Sequence, residues 1–207
     1  MLLHTCCAIC AIPILEDLKT RNINPTLYFF NPNIFPEGEY QKRLETAQKV
    51  AKLFDLKIIE EKYNHATWLN FISNRLPENP ANYPENGGRC QPCLEFRLQK
   101  TAEFARENNF RTFATTLSAS RFKDVKFINT FSQNIAEKLG LTYLAFATEN
   151  REKHFQAIQL AKKHNLHRQK YCGCEYTTPA LNFANIIDGD PLRPKRGRLF
   201  GGANRKR

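Results

Sequence analysis

Short apolar runs alternate along this chain with longer stretches whose apolar residues recur at helical spacing. Leu2-Leu3-His4-Thr5 is apolar enough for a first strand, and Ala11 to Arg21 then carries Ile12, Leu15 and Leu18 on one helical face. Thr26-Leu27-Tyr28-Phe29-Phe30 reads as a buried second strand, stopped by the turn-rich Asn31-Pro32-Asn33-Ile34-Phe35-Pro36. A helix follows from Gly38 to Phe54, with Tyr40, Leu44, Ala47, Val50, Ala51 and Phe54 as its apolar stripe. Leu56 to Glu60 predicts a third strand and His65 to Arg75 a short helix. Pro77, Pro80, Pro84, Gly87 and Gly88 then mark a long irregular loop leading to Cys90 and Cys93. Loops of that length in compact domains are usually functional or disordered. Helical period returns from Leu94 to Asn108, followed by a strand over Phe113 to Leu117 and a helix over Lys126 to Leu139. A last strand, Thr142 to Ala147, precedes a helix from Glu152 to His164.

Strands alternating with helices predict an α/β fold: an open, mainly parallel sheet with helices on both faces. In such sheets the reactive site lies beyond the carboxyl ends of the strands. Cys6, Cys7 and Cys10 fall there, on the turn between the first strand and the first helix. From Asp188 to Arg207 the composition changes, with Arg193, Lys195, Arg196, Arg198, Arg205, Lys206 and Arg207 interleaved with Pro and Gly. That stretch reads as a flexible basic tail behind one α/β domain over residues 1–187.

Charge narrows the partners. With 31 Lys and Arg against 20 Asp and Glu in 207 residues, the net charge is +11, which favours a polyanionic partner through phosphate neutralisation. No apolar run approaches the roughly 20 residues of a membrane span, and the segment after Met1 lacks the basic leader of a signal peptide. These features predict a cytoplasmic protein without membrane association. Thiols stay reduced there, so clustered cysteines are ligands or redox groups more often than disulfides.

All seven cysteines fall into three tight groups: Cys6-Cys7-Ala8-Ile9-Cys10, Cys90-Gln91-Pro92-Cys93 and Cys172-Gly173-Cys174. A lone cysteine is often an inert small hydrophobe, and any one pair is weak evidence, but complete grouping points to metal. One closed zinc site takes four ligands and leaves three thiols unexplained. A four-iron four-sulfur cluster also takes about four protein ligands, which leaves three for a second metal or for redox chemistry.

The combination His4-Thr5-Cys6-Cys7-Ala8-Ile9-Cys10, Asn31-Pro32-Asn33-Ile34, Glu39-Tyr40-x-x-Arg43, Cys90-x-x-Cys93-x-x-x-Arg97-Leu98 and Arg168-Gln169-Lys170-Tyr171-Cys172-Gly173-Cys174 resembles the QueH family of epoxyqueuosine reductases, over most of the chain up to about Cys174. The resemblance implies reduction of epoxyqueuosine in the tRNA anticodon to queuosine. It also implies an iron–sulfur cluster (4Fe-4S) with an additional metal ion nearby, iron or zinc, on an adenine-nucleotide-hydrolase-like (HUP) fold. Relatives of that fold carry an ATP-pyrophosphatase loop of Ser, Gly and Asp where this chain has cysteines, so no ATP chemistry is expected. Glu61-Lys62-Tyr63-Asn64 departs from the acidic residues that members often show around a tyrosine.

Losing an epoxide oxygen to leave an alkene takes two electrons and releases water, so the site must accept electrons from a donor and polarise the oxygen. Cys6, Cys10, Cys172 and His4 are the catalytic candidates. Four of Cys6, Cys7, Cys10, Cys90, Cys93, Cys172 and Cys174 are expected to ligate the cluster, and the others the second metal; spacing alone does not divide them. His4 would orient the thiolates, with plain burial at a strand end as the alternative. For tRNA the candidates are Tyr40 and Arg43, one turn apart, and Arg97, with ion pairs or a solvated face as the bland readings of the arginines. Arg168 and Lys170 bring basic charge next to Cys172, as an enzyme acting on an extruded base needs. Tyr171 is placed to stack on that base or to pack. Asn31 and Asn33 are explained by turn chemistry alone, and their site role rests on the resemblance. Two other classes use the same residues: a zinc-dependent RNA-binding protein without catalysis, and a thiol-based sulfur-transfer enzyme.

Overall fold

The computed structural model describes residues 1–120, 123–146, 151–169 and 171–177. Five strands, β1 (Leu2–His4), β2 (Thr26–Phe29), β3 (Ile58–Glu60), β4 (Thr112–Thr115) and β5 (Thr142–Tyr143), form one parallel sheet in the order β3-β2-β1-β4-β5. Among the described residues six helices connect and cover them: α1 (Ala8–Thr20), α2 (Glu37–Leu53), α3 (His65–Ser73), α4 (Cys90–Glu107), α5 (Val125–Leu139) and α6 (Arg151–Lys163). The strand order reverses between β1 and β4, which makes the carboxyl edge there the place where ligands bind in open α/β sheets.

Strand alternation assigns the two faces. Leu3, Leu27 and Ala114 align across the register and pack with Ile12, Leu15 and Leu18 of α1, Val50 and Ala51 of α2, and Ala157 and Ala161 of α6. Leu2 and Phe113, also in register, point the other way with Tyr28, onto Trp68 and Ile72 of α3, Phe96, Ala102 and Ala105 of α4, and Ala136 of α5. Both faces are therefore covered, as the near-continuous apolar strands predicted.

The main differences from the expected elements lie at the site. Helix α1 begins at Ala8, because the extended Cys7 serves as its N-cap and its Sγ accepts the Cys10 amide at 3.4 Å; Cys10 is helical. Helix α4 begins at Cys90 and not at Leu94. Pro92 fits inside this helix, since the first turn has no partner for its N–H groups and tolerates proline. Strand β4 ends at Thr115, whose hydroxyl accepts the Leu117 amide at 3.2 Å and opens a 3₁₀ turn over Thr116–Ala119. The expected tail, residues 188–207, lies outside the described residues.

His4 ties the carboxyl ends of three strands. Its Nε2–H donates to the Phe30 carbonyl at 3.0 Å, which leaves Nδ1 to accept from the Thr115 hydroxyl at 2.8 Å. Burial, then the nearby Arg97, lowers its pKa to about 3. The unfolded chain therefore binds a proton that the folded one refuses. Stability tied to neutral His4 is full above pH 6.5 and is lost as pH falls towards 3. Between pH 6.5 and 5 this loss is expected to reach about 1.5 kcal/mol. His4→Leu is expected to lose about 2–4 kcal/mol at pH 7, through the unpaired Thr115 and Phe30 groups, and to show a flatter acid limb in chemical denaturation. A wild-type limb no steeper than the variant's would refute this.

Candidate metal centre

The first thiol group is set by the β1–α1 junction. The sulfurs of Cys6, Cys7 and Cys10 all lie within 4.8 Å of one another. Thr116, from the turn after β4, accepts the Cys6 amide at 3.0 Å and donates its hydroxyl to Cys6 Sγ at 3.3 Å. Hydrogen bonds from the Cys10 and Cys7 thiols hold Cys6 well below the usual thiol range, helped by Arg97 and Thr116. Donating to both Cys6 and Cys7 pushes Cys10 up. The triad thus concentrates negative charge on Cys6, at the N-terminus of α1 where the helix dipole also favours it.

The second group is a quartet. Cys90 and Cys93 in the first turn of α4, with Cys172 and Cys174 from the chain after α6, line one small cavity together with Trp68, Arg89, Leu94, Arg97 and Lys123. Lys123 donates to Cys172 Sγ at 3.2 Å and faces Glu85 at 3.7 Å. Cys172 is lowered well below the usual thiol range, first by a hydrogen bond from Cys174 and then by Lys123 and Arg97. Burial pulls Lys123 down, but the Cys172 thiolate prevails and holds it protonated. Burial raises Cys90 and Cys93, with Arg97 opposing at Cys93.

Three residues that line the cavity carry a buried N–H with no partner at hydrogen-bond distance among the described residues, at Trp68 Nε1, Arg89 Nε and Arg97 Nε, and Trp68 stands near enough to Cys93 to lower its thiol. Buried polar groups are almost always satisfied. Buried N–H donors on residues that share a cavity with four thiols fit an anionic occupant, and four cysteines match the ligand count of an iron–sulfur cluster.

The residues expected to grip tRNA divide. Tyr40 is 1% exposed and its hydroxyl bonds Glu60 Oε1 at 3.3 Å and the Glu61 carbonyl at 3.2 Å, so it faces the interior. Arg43, 3% exposed, pairs with Glu39 at 2.7 Å and donates to the Cys172 and Tyr171 carbonyls at 2.8 and 3.3 Å, with its guanidinium over the Tyr171 ring. It braces the cysteine loop and offers nothing to a phosphate. Arg97 is likewise buried, donating to Asn31 Oδ1, while Asn31 Nδ2 donates to the Thr5 carbonyl at 2.9 Å. Asn33 is buried with its Oδ1 unpartnered. Arg168 is exposed and Tyr171 half-buried, and Lys170 lies outside the described residues. His4 has both ring nitrogens engaged away from sulfur.

Lys123, Thr116, Trp68 and Arg89 were not singled out from the sequence. The signal for Thr116 was available, because it directly follows β4 at the carboxyl edge. Lys123, Trp68 and Arg89 have no local pattern and reach the cavity through tertiary contact.

The chain matches the family described as epoxyqueuosine reductase QueH over residues 1–180. It is 34% identical over 199 residues to the epoxyqueuosine reductase QueH of Haemophilus influenzae, covering 96% of this chain and 76% of that one. To the protein of the same name from Histophilus somni it is 33% identical over 183 residues, covering 88% and 73%. The Thermotoga maritima protein of that name is 29% identical, with 86% and 89% covered. Among solved structures, the U34-tRNA thiolase NcsA from Methanococcus maripaludis with its [4Fe-4S] cluster shares the fold at a TM-score of 0.53 and 12% identity, over 90% of this chain and 64% of that one.

Proposed function

Because the chain belongs to the epoxyqueuosine reductase QueH family, we propose that it reduces the epoxide of epoxyqueuosine in the tRNA anticodon to give queuosine. One observation carries the reading: the quartet cavity combines four thiols with three unpaired buried N–H donors. The quartet, Cys90, Cys93, Cys172 and Cys174, holds the 4Fe-4S cluster, and the triad, Cys6, Cys7 and Cys10, holds the additional metal, iron or zinc. When bound, the cluster supplies single electrons and the ion a Lewis acid for the epoxide oxygen.

The protein's own groups do the rest. Lys123 keeps a proton at Nζ on the cavity wall, beside Cys172. Trp68, Arg89 and Arg97 line the cavity and carry buried N–H donors, and charge-assisted bonds from such donors stabilise negative charge. Arg43 and Asn31 fix the two cysteine-bearing loops from behind. The wobble base must leave the anticodon stack to reach this edge, and exposed Arg168 and half-buried Tyr171, just before Cys172 in the chain, are the groups proposed to meet it. An excess of positive charge, +11 overall, favours the tRNA backbone. No helix among the described residues is long and apolar enough to cross a membrane. With tRNA as its substrate and thiols that must stay reduced, the enzyme belongs in the cytoplasm, where a separate electron donor would serve it.

Anaerobic reconstitution with iron and sulfide, followed by incubation with epoxyqueuosine-containing tRNA and a chemical reductant, is the test. Mass analysis of the nucleosides is expected to show loss of one oxygen at the modified base. Zinc-only protein that binds tRNA and leaves the epoxide intact would replace this reading with the non-catalytic one.

A further inference from the structure

Arg97 is a permanent cation in an unusual setting. It is 3% exposed, yet among the described residues no carboxylate forms an ion pair with it. Among the described residues its one hydrogen-bond partner is the neutral Asn31 amide, and its Nε has none. A buried charge without a counter-charge is costly, so the site must supply negative charge elsewhere. Arg97 lines the cavity with all four quartet thiols, and its partner Asn31 bonds the residue before Cys6 of the triad. Lys123 differs, because Glu85 already stands within 3.7 Å of it.

The hydrogen bonds explain how one side chain reaches both. Arg97 stands one helical turn after Cys93 on α4 and lines the quartet cavity. Asn31, from the turn after β2, takes the guanidinium on Oδ1 and passes its own N–H to the carbonyl of Thr5, the residue before Cys6. Arg97 and Asn31 therefore link the helix that carries Cys90 and Cys93 to the loop that carries Cys6 and Cys7.

We propose that Arg97, held by Asn31, is a positioning residue whose fixed positive charge raises the reduction potential of the cluster bound at the quartet. The inference rests on the proposed function, since it needs a cluster there. Reduction adds one electron and makes the cluster more negative, so a buried cation favours the reduced form. Arginine does not release its proton in proteins, and the bias stays constant across physiological pH.

Potentiometric titration of the anaerobically reconstituted full-length chain, with dithionite and redox mediators and followed by electron paramagnetic resonance, reads this directly. Arg97→Gln is expected to make cluster reduction at least about tenfold less favourable, a fall of about 59 mV for a one-electron couple. Arg97→Lys keeps the charge and is expected to restore more than half of that. An unmoved potential in Arg97→Gln, or an equal fall in Arg97→Lys, would overturn the proposal. If Arg97→Gln takes up no iron, Asn31→Asp keeps every cysteine and Arg97 but sets a carboxylate against the guanidinium. It is expected to lower the potential likewise, and no change overturns the proposal, as does loss of iron from both variants. Wild-type protein without a cluster defeats this inference and the proposed function together. A wild-type cluster with unmoved variant potentials defeats the inference alone.

Discussion

Cys172→Ala is expected to abolish the iron–sulfur absorption of the reconstituted protein and to reduce epoxide turnover by on the order of 10³-fold or more, the scale for losing an indispensable catalytic group. Cys172 is the quartet's anionic thiol: Cys174 donates to it, and Lys123 Nζ stands 3.2 Å away. Its removal deletes a proposed cluster ligand and leaves Lys123 buried beside two neutral thiols and Glu85. Cys7→Ala is expected to lose turnover as well but to keep the cluster absorption, because Cys7 belongs to the triad around Cys6 and Cys10. The informative measurement is iron per chain beside visible absorption for the two variants. A Cys7→Ala protein without a cluster, or a Cys172→Ala protein with one, would show that the thiols do not divide as quartet and triad.

Much of the fold was legible because it rests on local pattern. Strand-like runs and helical stripes gave the five strands and six helices in order, and Cys6 could be placed at the carboxyl edge by rule. The grouping of cysteines pointed to metal before any coordinates. Pairing of the second and third groups was not legible, since Cys90 and Cys172 are separated by a long stretch of chain and meet only when α4 packs beside the loop after α6. The roles of the basic residues were also hidden. Arg43 and Arg97 carry the same charge that binds phosphate elsewhere, and only their burial, at 3% exposure each, shows that they serve the interior. Their partners are carbonyls and an amide from distant elements, which periodicity does not encode. His4 follows the same logic: a histidine at a strand end takes its role from Phe30 and Thr115, brought beside it by the sheet register.

The glycine between Cys172 and Cys174 is where the second large effect is expected. Gly173 has φ of +102°, and a Cβ there would stand 2.7 Å from Arg43 Nη1 and 2.8 Å from its Cζ and Nη2. Neither side can yield. Arg43 is held by Glu39 at 2.7 Å and by the carbonyls of Cys172 and Tyr171, while the Gly173 carbonyl accepts the Phe35 amide at 2.8 Å. Gly173→Ala therefore adds a strained backbone, about 1–3 kcal/mol, to a collision that displaces both flanking thiols. A displacement near 1 Å in a catalytic constellation can cost about 100-fold, and at least that loss of epoxide turnover is expected, with less iron bound per chain. The sheet does not include this loop, so far-ultraviolet circular dichroism should stay close to wild type. Adding Arg43→Ala removes the collision but not the backbone strain, and it takes away the brace on the two carbonyls, so the double variant is expected to recover no activity. Full iron content and turnover in Gly173→Ala would mean that the loop relaxes freely and that Arg43 does not fix the thiols.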